Sequence, residues 1–262
     1  MHDSWVALGD SFTEGLDDRR PDGTFRGWAD LVAAELAAAG PGFRYANLAV
    51  RGRRLAAVRD DEQLPRAERS GASLLTVAAG GNDLLGLRCD LAALAVEFSG
   101  LVGRMAATGA AVLVFTGPHF PTRLPLARAL AARTVAYNAA IEAAAQEHGA
   151  LVVDLWRLPG LELERAWAPD RLHLSPAGHA VVAAAVLGAL GLAVPAEPDD
   201  LRRTDVRRPW LAGCREDVRW ARTHLAPWVG RKVRGRSTGD LVGPKLPELT
   251  EVRPADLGVR SG

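Results

Sequence analysis

Short apolar segments alternate with Ala- and Leu-rich segments of helical length along residues 1–195. Continuous apolar character is typical of strands buried on both faces of a parallel sheet. The predicted strands are Ser4–Leu8, Arg44–Ala49, Leu74–Ala78, Ala111–Thr116 and Leu151–Leu155. The predicted helices are Gly27–Ala39, Arg54–Arg66, Leu91–Thr108, Ala127–His148 and Pro176–Leu190. This alternation predicts a three-layer α/β/α, flavodoxin-like fold with a five-stranded parallel sheet in the order 2-1-3-4-5.

The loops that follow these strands carry the residues with candidate chemistry. In an open parallel sheet, ligands bind outside the carboxyl ends of the strands. The loops there hold Gly9-Asp10-Ser11, Gly52, Gly81-Asn82-Asp83 and, before the last helix, Asp170 and His173. One edge of the sheet is therefore expected to collect a serine, a histidine, carboxylates and an amide.

Ser11, His173 and Asp170 are the residue types that nucleophilic catalysis requires. A serine hydroxyl is a weak nucleophile until a neighbouring base takes its proton. Histidine suits that role because its ordinary pKa is near neutrality. Asp170, three residues before His173, is placed to fix the tautomer of the ring and to stabilise the imidazolium.

Attack on an acyl carbonyl also produces an oxyanion, which needs hydrogen-bond donors. The backbone N–H groups of Ser11 and Gly52 and the side-chain amide of Asn82 are the candidates. Asp10 and Asp83 are expected to bond to the backbone of their own turns.

The four blocks Gly9-Asp10-Ser11, Gly52, Gly81-Asn82-Asp83 and Asp170-x-x-His173 resemble, in order and spacing, those of the SGNH/GDSL hydrolase superfamily, and the resemblance covers about residues 4–191. It implies that Ser11 is the nucleophile, His173 the base and Asp170 its acid. It also implies that Ser11, Gly52 and Asn82 form the oxyanion hole. Phe12 stands where the family has leucine, at an apolar packing position.

The resemblance implies a bacterial serine esterase that hydrolyses a small-molecule ester through an acyl-enzyme, without a metal or an organic cofactor. Two alternatives remain open at this point. In the first, the protein is an acyltransferase or thioesterase of a biosynthetic pathway and forms the same acyl-enzyme. In the second, it is a catalytically silent binding or scaffold protein built on a hydrolase fold. His119, after the fourth predicted strand, either lines the substrate pocket or is a loop histidine without a role.

Composition narrows the class of protein. The chain has 262 residues, a net charge of +1 and 48% apolar residues, which argues against bulk disorder. Two cysteines without metal-ligand spacing make a disulfide framework or a structural zinc site improbable. The N-terminal segment has no basic leader and no apolar run approaches the length of a transmembrane helix, so a cytoplasmic location is expected.

Residues 196–262 differ from the rest in charge. From residue 199 onward there are 14 Lys or Arg and 9 Asp or Glu, which gives a net charge of +5. We therefore divide the chain into a hydrolase domain, 1–195, and a basic extension rich in Trp and Arg, 196–262. The apolar spacing predicts one amphipathic helix over about 209–229, followed by an extended tail. Packing on the domain is the expected role, with a homo-oligomer contact or peripheral membrane contact as alternatives, and nucleic-acid binding is not expected.

Overall fold

The central sheet of the computed structural model has six strands, rather than the five expected. The structure describes residues 2–61, 63–86, 88–119, 127–195, 217, 219–227, 230 and 238–258. The strands are β1 (Ser4–Gly9), β2 (Arg44–Asn47), β3 (Leu74–Ala78), β4 (Ala111–Phe115), β5 (Leu151–Val153) and β6 (Leu246–Glu251). Their order is β5-β4-β3-β1-β2-β6, which contains the predicted order 2-1-3-4-5 and adds β6 beyond β2.

β6 corrects the prediction of a purely parallel sheet. It pairs antiparallel with β2, whereas the other five strands are parallel. Residues 246–251 read as tail because their polar residues and Pro247 give no continuous apolar run. An edge strand does not need one, since its outer side faces solvent, and proline is tolerated where no neighbouring strand requires its N–H.

Eight α-helices cover the sheet in the described part of the chain: α1 (Ser11–Glu14), α2 (Gly27–Ala39), α3 (Leu55–Asp60), α4 (Gln63–Arg69), α5 (Gly81–Leu84), α6 (Leu91–Ala106), α7 (Ala127–His148) and α8 (Pro176–Ala189). The predicted helix Arg54–Arg66 is two helices, α3 and α4. Pro65 explains the break, because it has no N–H to donate to the carbonyl four residues earlier.

Two apolar clusters lie on opposite faces of the sheet. One includes Trp5, Trp28 and Tyr45 and packs the sheet against α2 and α8. The other includes Phe98 and Met105 and packs it against α6 and α7. The three-layer arrangement therefore follows from burial on both faces of the strands, as the continuous apolar segments indicate.

The predicted helix over 209–229 lies partly outside the described residues. Within its described part, Ala221–Leu225 forms a turn of π-helix, and residues 219–220 and 226–227 on either side are α-helical. Further along, Pro254–Leu257 forms a 3₁₀ turn after β6.

No helix in the described ranges combines the length and the apolar character needed to cross a membrane.

Candidate active site

Ser11 lies at the carboxyl edge of the sheet, at the first position of α1. β1 ends at Gly9, whose φ of 146° and close approach to the carbonyl of Ala78 leave no room for a side chain. The Oδ1 of Asp10 accepts the N–H of Phe12 at 3.1 Å and so caps α1. The chain thereby turns from strand to helix within two residues and presents Ser11 at the sheet edge.

His173 and Asp170 lie in the turn before α8, where His173 contacts Ser11 and Asp170 contacts His173. The Nε2 of His173 is 3.0 Å from the Oγ of Ser11, and its Nδ1 is 2.5 Å from the Oδ2 of Asp170. The other oxygen, Oδ1, accepts the N–H groups of Leu172 and His173, both at 3.0 Å. The carboxylate therefore fixes both the ring and the backbone of the turn that carries it.

Asp170 and His173 each favour the charged form of the other. Burial raises the pKa of Asp170, but the hydrogen bonds and charge of His173 outweigh that effect and hold the pKa at about 2. Burial lowers the pKa of His173, yet the hydrogen bond and charge of Asp170 outweigh it, with help from Asp17 and Asp10, and the net result is a raised pKa. The imidazolium that would form during proton transfer is thus stabilised.

Asp17 supplies a second carboxylate to the same ring. Its Oδ2 lies 3.5 Å from the Nδ1 of His173, and its backbone is in the left-handed region with φ of 72°. Burial and the neighbouring charge of Asp170 raise the pKa of Asp17. Sequence reasoning did not select Asp17, because its signal is one acidic residue in a polar loop.

Asp17, Asp170 and His173 also have ligand atoms within 4.8 Å of one another. A metal ion in that position would take the Nδ1 of His173 away from Asp170. The arrangement therefore suits proton transfer between side chains better than metal ligation.

The three candidate oxyanion donors differ in whether they already have a hydrogen-bond acceptor. Within the described residues, the N–H groups of Ser11 and Gly52 have no protein acceptor. Gly52 follows β2 with φ of 74°. By contrast, the amide nitrogen of Asn82 donates to the Oδ2 of Asp10 at 2.8 Å and to the carbonyl of Arg53 at 3.0 Å. Asn82 is thus held in place by bonds that an oxyanion would have to share.

A cavity of about 150 Å³ opens beside these groups. Ser11, Asn82 and His173 are among the polar residues that line it. The rest of its wall is mainly apolar and includes Phe12, Leu84, Phe115, Ile141, Leu161 and Trp167. The wall of the cavity therefore combines a hydroxyl, an imidazole and an amide with a mainly apolar surface.

Comparison with known proteins identifies the family of the chain. Residues 7–181, well over half of the chain, match the model of the GDSL-like lipase/acylhydrolase family. The chain belongs to that family. It is accordingly an enzyme of the SGNH carboxylic ester hydrolase type. No curated protein sequence matches it at a significant level.

Solved structures resemble this GDSL-like hydrolase over most of their length. An α/β hydrolase enzyme from the metagenome of Lake Arreo, Spain, is 26% identical with a TM-score of 0.58, over 72% of this chain and 95% of that one. TesA is 23% identical with a TM-score of 0.59, over 71% and 97%. An acetylxylan esterase from Geobacillus stearothermophilus is 19% identical with a TM-score of 0.56, over 73% and 95%. The last two likenesses concern the fold.

His119 of this GDSL-like hydrolase lies apart from the cavity wall formed by the described residues. Its ring is exposed and makes an edge contact with Trp156, with 5.0 Å between the ring centroids. A role for His119 in substrate binding stays a prediction.

A second serine–histidine pair provides a contrast. The Oγ of Ser99 is 3.0 Å from the Nε2 of His148, and Glu147 contacts the same nitrogen at 3.7 Å. A triad needs the carboxylate on the opposite nitrogen, where it fixes the tautomer. Ser99 therefore lacks the arrangement that surrounds Ser11, although its distance to a histidine is equal.

Proposed function

We propose that this GDSL-like hydrolase cleaves carboxylic esters through an acyl-enzyme formed on Ser11. In this proposal His173 is the general base, Asp170 orients it, and the oxyanion binds to the N–H groups of Ser11 and Gly52 and to the amide of Asn82. The observation that carries the proposal is the line of contacts from Oγ of Ser11 through the ring of His173 to Asp170, at 3.0 and 2.5 Å.

In the first half-reaction, the Oγ of Ser11 attacks the acyl carbon while the Nε2 of His173 takes its proton. The tetrahedral intermediate places its negative oxygen among the proposed donors. Asp170 stabilises the imidazolium, and the low pKa of about 2 keeps its carboxylate charged throughout. His173 then gives its proton to the departing alkoxide, which leaves as an alcohol and completes the acyl-enzyme.

In the second half-reaction, His173 takes a proton from water, and the resulting hydroxide attacks the acyl carbon. The same donors hold the second oxyanion. Collapse of this intermediate breaks the bond to Ser11, whose Oγ recovers the proton from His173. The products are a carboxylic acid and the free enzyme.

The apolar wall of the cavity supports a hydrocarbon acyl group as the part of the substrate that is bound. Phe12 follows Ser11 in α1 and its ring centroid lies 5.6 Å from that of Phe115, and Ile141 of α7 lines the same cavity. Each methylene that leaves water for such a wall contributes about 0.8 kcal/mol. Chain length, rather than a polar acyl substituent, is therefore expected to determine the preference for the acid portion.

The test is a series of 4-nitrophenyl esters from acetyl to long-chain acyl, measured with wild-type protein and Ser11→Ala. We expect a chain-length optimum in kcat/KM for the wild type. Ser11→Ala should lower kcat by at least roughly 10⁴-fold on every ester, because the nucleophile is lost.

Ser99→Ala is the matched control, because it removes the hydroxyl of the second serine–histidine pair. It should retain the wild-type rate. Turnover that survives Ser11→Ala, or that is lost with Ser99→Ala, would overturn the assignment of the nucleophile. Added alcohol acceptors distinguish hydrolysis from acyl transfer through the products formed.

A further inference from the structure

Asp217 and Trp220 lie beyond the family match, which ends at residue 181, yet they contact the turn that carries Asp170. The indole N–H of Trp220 donates to the backbone carbonyl of Asp170 at 3.0 Å. Trp220 is buried, with 8% of its surface exposed, so this bond is shielded from water. A contact to the candidate acid thus comes from the C-terminal extension rather than from the family fold.

Arg171 provides two further contacts between the turn and the extension. Its guanidinium donates to the Oδ1 of Asp217 at 2.7 Å and lies 5.2 Å from the centroid of the Trp220 ring. Both contacts join Arg171, the residue after Asp170, to side chains of the C-terminal extension. Ion pair, cation–π contact and indole hydrogen bond therefore act on the same turn.

The backbone of this turn needs such support. Arg171 has φ of 61°, in the left-handed region that non-glycine residues rarely adopt. A conformation of this kind is strained for a residue with a side chain and persists only where the surroundings enforce it. The contacts to Trp220 and Asp217 are placed to enforce it, and the carboxylate of Asp170 is thereby kept aimed at His173.

We propose that Trp220 is a positioning residue for the Asp170–His173 pair, so that the C-terminal extension completes the active site of this hydrolase. The inference rests on the proposed triad. Trp220 touches neither the nucleophile nor the reacting atoms; it acts through the backbone of the turn that holds Asp170.

The pKa of His173 depends on the charged groups around it, so it reports whether Asp170 is held in position. Asp170, Asp17 and Asp10 all face the ring, and His179 of α8 lies within range of its charge. His224, on the same helical segment as Trp220, faces Asp17. Since Asp170 has the strongest favourable effect on the imidazolium, loosening its turn should lower the pKa of His173, whereas a general loss of stability should not.

The decisive variant is Trp220→Phe, which retains an aromatic ring and removes the indole donor. We expect kcat per titrated active site to fall about tenfold, the rate equivalent of one hydrogen bond, with little change in KM. The acid limb of the kcat/KM profile should move to lower pH. Trp156→Phe, at the ring that contacts His119, is the matched control and should change neither quantity.

A second variant keeps the test decisive if Trp220→Phe does not fold. Asp217→Asn weakens the ion pair with Arg171 and should move the acid limb in the same direction by a smaller amount. Wild-type kcat and an unmoved acid limb in a folded Trp220→Phe protein, with only a lower melting temperature, would show a merely structural role and overturn the inference. Failure of the triad itself is distinguishable, because Ser11→Ala would then retain activity.

Discussion

The side-chain amide of Asn82 donates to the carboxylate of Asp10 at 2.8 Å, across 72 positions of sequence. This contact joins the third block of the family pattern to the first, next to the nucleophile. Burial raises the pKa of Asp10 to about 6, although the N–H of Phe12, the charge of His173 and the amide of Asn82 oppose that shift. Asp10 thus does more than bond to its own turn.

Replacement of Asn82 tests whether its amide reaches the oxyanion in the transition state. Asn82→Ala should lower kcat by roughly 10²–10³-fold, with a small change in KM, because the donor acts on charge that develops only during reaction. Steady-state kinetics on the best 4-nitrophenyl ester measure this effect. A kcat within threefold of wild type would mean that the amide stays committed to Asp10 and Arg53.

Asp17 should support catalysis when Asp170 is absent. Asp170→Asn is expected to lower kcat by about 10³–10⁴-fold and to leave residual turnover, because the tautomer is disturbed while the base remains. Asp17→Asn alone should cost less than about tenfold, but a larger factor in the Asp170→Asn background. A double-mutant cycle of kcat/KM measures this coupling. Additive effects would show that the 3.5 Å contact has no role in catalysis.

The pH dependence of kcat/KM should have an acid limb set by His173. The base acts in its neutral form, and the carboxylates around it raise its pKa above the ordinary value of 6.5. Activity should therefore fall as the pH drops through a midpoint above 6.5. Asp17→Asn removes one negative neighbour and should move the limb to lower pH. A limb that moves to higher pH in this variant would contradict the electrostatic assignment.

His179 should make the protein less stable in mild acid. It is fully buried, accepts the N–H of Trp28 at Nδ1 and contacts the carbonyl of Leu16 through Nε2, and burial lowers its pKa to about 4. The unfolded chain binds this proton near pH 6.5, so the contribution of neutral His179 is complete above 6.5 and is lost as the pH falls toward 4. Over that window the loss in unfolding free energy amounts to about 3 kcal/mol.

Denaturant unfolding of wild type and His179→Gln at several pH values measures this contribution. The variant should be less stable at pH 7 and should depend less on pH between 6.5 and 4. Asp10, whose pKa is raised, has the opposite dependence, so the difference between the two proteins is the relevant quantity. His119→Gln, at an exposed position, is the control. An unchanged slope in His179→Gln would assign the acid sensitivity to other groups.

The amino-acid sequence by itself determined the layers of the fold and the edge where the candidate site lies. Continuous apolar strands and regular helical segments between them are local patterns, and four of the five predicted helices end within two residues of the observed bounds. The candidate site residues could be placed at the carboxyl edge because the loops that follow the strands of a parallel sheet lie there. Residue type and spacing were also enough to select Ser11, Asp170 and His173 as candidate catalytic residues.

Only the tertiary structure decided which groups meet. β6 joins the sheet because the edge of β2 offers it hydrogen bonds, and its own sequence carries no strong strand pattern. Asp17 reaches His173 from the loop after α1, and Trp220 reaches Asp170 from a helical segment, although the residues of each pair are distant in sequence. Local patterns record the burial of a residue's own segment, whereas contacts between irregular segments depend on the folded arrangement of both.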